Sequence, residues 1–229
     1  MQNTSIEDIH PDSTLIQTET AYELNLAEPD YKKLFEFLHS DSFNLVYYAL
    51  LKIEKFRTKE EAAILLKLLN SENDSRIREH ASELIKNHIY YFNDEYSVNT
   101  LVQAIKDNNP KVCRNIAECL KCLDNSLQII QKLIDITKEQ LDNKTVFAVY
   151  WGLFAIENLL KQNNIDFIEN LIQILQTTCK FKEYQIREKT ASIVKILVKN
   201  NKYKNFKKIY EQLLNDDNFY VKRALSEQF

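Results

Sequence analysis

Several groups of residues have types and spacings that chemistry could use. Cys119 and Cys122 form a Cys-x-x-Cys pair, the spacing of thiols that share a metal or exchange a disulfide. His80 and His88 stand on one helical pattern, and Glu60 and Glu61 are adjacent carboxylates. Lys195, Lys199, Lys202, Lys204, Lys207 and Lys208 interleave with Tyr203, Phe206 and Tyr210, a mixture able to hold phosphates and stack bases. The last group is apolar: Val146 to Ile156 runs without a charged side chain and contains the chain's single Trp and single Gly.

Context removes most of this chemistry. The Cys-x-x-Cys pair has no second pair and no neighbouring His, and both thiols fall inside a helical pattern, so they read as small packing residues. The histidines make no His-Glu-x-x-His motif, and the carboxylates are ordinary helix-surface residues. With Gly152 alone, no glycine-rich phosphate loop, dinucleotide turn or nucleophile elbow can be written. No catalytic residue, metal or cofactor is expected. The lysine cluster contains no Arg, straddles a turn between helices and belongs to a chain of pI about 5.9, a poor electrostatic footprint for nucleic acid. It reads as a solvated edge or a patch for an anionic partner, with nucleic acid as the alternative.

The net charge of −3 hides a polarised chain. Residues 1–28 carry six acidic and no basic side chains, and residues 180–229 carry 12 basic against 6 acidic. The first 28 residues are expected to form an acidic, extended arm, with 29–229 as a repeat domain. No basic segment followed by an apolar run opens the chain, and the 11 residues from Val146 to Ile156 fall short of the roughly 20 that a bilayer needs. A cytoplasmic protein with reduced cysteines and no membrane partner is the expectation.

The elements that must position these residues repeat. Leu45, Ile77, Val112, Val146, Ile186 and Val221 begin similar segments, spaced by 32, 35, 34, 40 and 35 residues. Apolar or small residues recur four or five, eight and eleven places after each anchor, the stripe of an amphipathic helix. Three residues before the anchors stand Ser42, Asp74, Asn109, Asn143, Glu183 and Asn218, mostly favoured N-cap types. Pro110 follows Asn109 at the first helical position, where its missing N–H costs nothing. A second amphipathic segment precedes each of these helices: 31–39, 59–69, 97–105, 127–140, 167–178 and 206–214. Each copy is thus a hairpin of an A and a B helix, and its apolar stripes require neighbouring copies to cover them.

Asp74-Ser-Arg-Ile77-Arg78-Glu-His-Ala81 resembles the start of the second helix in HEAT repeats, and Glu183-Tyr-Gln-Ile186-Arg187 with Ala191 is similar to it. The third copy shifts its Arg to Arg114, the sixth has Lys222, and the first and fourth have no basic residue there. The resemblance covers about residues 29–229. It implies an all-α, right-handed superhelix of about six hairpins whose B helices line a groove, and a scaffold or adaptor function rather than an enzyme. HEAT-like DNA glycosylases are the alternative class, and they would need a basic, aromatic groove.

The fourth B helix departs from its siblings. Two, six and nine places after the anchor stand Glu79, Glu83 and Lys86 in the second copy and Arg114, Glu118 and Lys121 in the third, but Ala148, Gly152 and Ala155 in the fourth. Phe147, Ala148, Gly152 and Ala155 are therefore expected to form a smooth strip in the groove where a protein or peptide partner docks. Tyr150, Trp151 and Phe154, at core offsets, are expected to pack inside.

Overall fold

The computed structural model describes residues 30–143, 145–162, 169–199 and 203–226; the acidic arm expected over 1–28 lies outside them. Every regular element among the described residues is helical. The chain divides into two compact units, Met1–Asn93 and Asp94–Phe229.

In the first unit, α1 (Tyr31–Phe37) and α2 (Phe43–Lys52) make one hairpin, and α3 (Lys59–Ala62), α4 (Ile64–Leu68) and α5 (Ser75–Asn87) make the next, followed by a 3-10 turn at Ile89–Tyr91. The single A helix expected over 59–69 is broken at Ala63, where Leu66 N–H donates to the Ala63 carbonyl and tightens the turn. Side chains cap three starts: Asp30 accepts from Lys32 N–H, Thr58 from Glu61 N–H and Asp74 from Arg76 N–H. Ser42 makes no such bond. The core is apolar and closed, with Tyr48, Ala49, Leu65, Ala81 and Ile85 buried.

The second unit holds four hairpins. They are α6 (Glu95–Gln103) with α7 (Pro110–Cys119), α8 (Ser126–Asp142) with α9 (Val146–Gln162), α10 (Glu169–Thr178) with α11 (Tyr184–Leu197), and α12 (Tyr203–Leu214) with α13 (Phe219–Ser226). Short 3-10 turns, Ala104–Lys106 and Leu120–Cys122, extend α6 and α7. Asp94, Asn109 and Asn218 accept from Ser97, Lys111 and Tyr220 N–H. Val112, Ile116, Ile156, Leu159, Ile186 and Val194 are buried. At roughly 1.5–3 kcal/mol per fully buried large apolar side chain, against about 1 kcal/mol per cap, packing between helices dominates stability.

The arginines that carry the HEAT-like resemblance are structural. Arg78 is buried and donates to the Asn73 carbonyl at the turn before α5. Arg187 donates from Nη1 to the carbonyls of Phe181 and Lys182 at 2.8 and 2.9 Å, and its Nε and Nη2 reach the Asp216 carboxylate at 2.7 and 3.0 Å. That pair ties the turn before α11 to the turn before α13. Burial pushes the Asp216 carboxyl up, but the Arg187 hydrogen bonds and charge, with the Asn218 N–H, outweigh it and hold the group below its ordinary range.

Candidate functional site

The fourth B helix, α9, shows where the sequence alignment slips. Every B helix of the second unit begins two residues before its buried anchor: Pro110 before Val112, Tyr184 before Ile186, Phe219 before Val221. Helix α9 begins at Val146, so its anchor is Ala148. Val146 itself is 37% exposed, whereas Ala148 is 1% exposed. A shift of two residues turns the assignment of faces by about 200°, because each residue advances a helix by about 100°.

Ala148, Gly152 and Ala155 are consequently core. Gly152 lies against α8, where a Cβ would collide with Thr137 Oγ1. That oxygen is held by a 2.7 Å bond to the Leu133 carbonyl and is fully buried. The strip expected to receive a partner is filled by the protein's own helix, so a partner cannot reach these three residues; only Phe147, 39% exposed, stays on the surface. The signal for the correct register was present. Thr145 is a favoured cap type three residues before Ala148, and an anchor there makes the flanking spacings 36 and 38 rather than 34 and 40.

The same rotation brings out Tyr150, Trp151 and Phe154, which are not interior packing residues but partly exposed ones. With Phe147 they form a row along α9. Trp151 meets Phe147, Tyr150 and Phe154 edge-on, with ring centroids 6.0, 5.1 and 5.4 Å apart, and Tyr150 stacks on Phe154 at 6.4 Å. Such pairs contribute about 0.5–1.5 kcal/mol each beyond area. The Trp151 indole Nε1 is inaccessible to water and has no hydrogen-bond partner among the described residues. An unmet buried donor costs about 1–3 kcal/mol and calls for an explanation.

Polar residues flank the row. Asn158 donates from Nδ2 to the Ala117 carbonyl at 3.4 Å, joining α9 to α7. Glu157 is buried, with Lys161 Nζ 2.7 Å from one carboxylate oxygen and Lys189 Nζ of α11 2.8 Å from the other. Lys189 also lies over the Phe154 ring, 5.1 Å from its centroid. On the equivalent faces of the neighbouring helices stand Arg114 and Glu118 of α7, paired at 2.9 Å, and Glu188 and Ser192 of α11. The open face of the B helices in this unit therefore has an aromatic centre with charged flanks.

The other expected groups do not assemble into sites. Lys195 lies in the last turn of α11 and is partly buried, and Lys199 lies just past that helix and is exposed; Lys204, Lys207 and Lys208 are exposed on α12, with Lys207 3.8 Å from Glu211. Lys202 lies outside the described residues. Cys119 is buried and donates its thiol to the Ile116 carbonyl, while Cys122, expected inside the helix, ends the 3-10 turn and is exposed. His80 approaches the Tyr47 hydroxyl, and His88 is buried against the Leu84 carbonyl. Among the described residues no group of three or more His, Cys, Asp or Glu is placed to hold a metal ion, and no helix is long and apolar enough to cross a membrane.

No protein-family model and no curated protein matches the chain. Solved structures do. A designed armadillo repeat protein, solved in complex with the peptide (KR)4, superposes with a TM-score of 0.56 at 16% identity, covering 86% of this chain and 97% of that one. An engineered protein from a structural genomics consortium superposes at 0.50, also at 16% identity, covering 86% and 94%. The chain is thus similar to helical repeat proteins in fold, and its architecture is an α-solenoid. The HEAT-like pattern is supported at that level.

Proposed function

We propose that this chain is a non-catalytic repeat scaffold that captures a protein segment on the open face of α9. The observation that carries the reading is the partly exposed aromatic row Phe147, Tyr150, Trp151 and Phe154, on a helix face whose equivalents in α7 and α11 are charged or polar. Aromatic side chains concentrate binding energy at interfaces because they present large, stiff apolar area together with a polar handle. The armadillo-like neighbour that was solved with a peptide lends the reading support by analogy of fold.

A phage-displayed peptide library selected on the full chain and counter-selected on Trp151→Ala tests it. Peptides that survive should bind the wild-type chain at least about tenfold more tightly than the variant, since a central aromatic anchor typically contributes 2 kcal/mol or more. Circular dichroism should show the variant folded. Selected peptides that bind both chains equally would sink the proposal.

A further inference from the structure

We draw no further inference here: the strongest candidate, the partly exposed aromatic row of Phe147, Tyr150, Trp151 and Phe154 on the open face of α9, belongs to the site already described, and nothing in the structure shows what covers it.

Discussion

Helices α9 and α11 are siblings that differ in one respect. Both begin two residues before a buried anchor, and both bury positions four, five, seven and eight beyond it: Gly152, Leu153, Ala155 and Ile156 in one, Thr190, Ala191, Ile193 and Val194 in the other. Two and six places beyond the anchor, where side chains meet solvent, α11 carries Glu188 and Ser192 and α9 carries Tyr150 and Phe154. Packing constrains the inner positions of every copy, since a misplaced methylene there is felt at once. The outer positions bear no such constraint, so a departure there points to a use other than folding. The comparison also explains why α9 reads as apolar throughout: one face is small because α8 presses on it, and the other is aromatic.

The sharpest way to break this comparison is to truncate both faces of α9. Ile156→Ala, at a fully buried position, should cost about 2–5 kcal/mol in urea unfolding. Phe154→Ala, on the open face, should cost less, about 1–2 kcal/mol, chiefly from its ring pairs with Tyr150 and Trp151. Equal losses would restore the register that places Phe154 inside.

The next effect tests what the siblings share across the turn. Asp216→Asn should cost about 3 kcal/mol at neutral pH, because it leaves the largely buried Arg187 guanidinium with only the exposed Asp217 carboxylate, 3.5 Å away, as its anion. The folded Asp216 carboxyl lies below its ordinary value of 3.8, so the pair's contribution is complete above that value. It is lost as pH falls through the folded value, and wild-type and variant stabilities should converge in acid. A gap that persists unchanged at pH 2 would mean the ion pair is not its source.

A smaller effect separates the two causes of apolar character in α9. Gly152→Ala should destabilise by about 1–3 kcal/mol although Ala is the better helix former by about 1 kcal/mol, because the new methyl meets Thr137. Thr137→Ala in the same chain should recover most of the loss. A stabilised Gly152→Ala would show the contact with α8 to be loose.

Hairpin order, helix positions and three of the six expected caps, Asp74, Asn109 and Asn218, were legible in the sequence, because apolar spacing and capping act locally; Ser42 and Glu183 make no cap bond. The break at Ala63 was not legible, since no Gly or Pro marks it. The candidate site was legible as a helix and misread as a face. Within Asn143-Lys-Thr145 two residues can cap, and the alignment chose the first; with an apolar run on both sides, hydrophobicity could not correct it. What distinguishes the faces is size, small against aromatic, and size acquires meaning only once α8 and its Thr137 are in place.

The contact between Gly152 and Thr137 has a kinetic consequence. Helices α8 and α9 are each 17 residues long and are joined through residues 143–145, so their interface closes a very short loop. Repeat arrays nucleate wherever local order forms most cheaply and then grow outward. This hairpin is therefore the expected seed of the second unit, and truncations at Leu133 and Leu153 should slow folding more than they hasten unfolding, with the reverse at Val221 in the last helix.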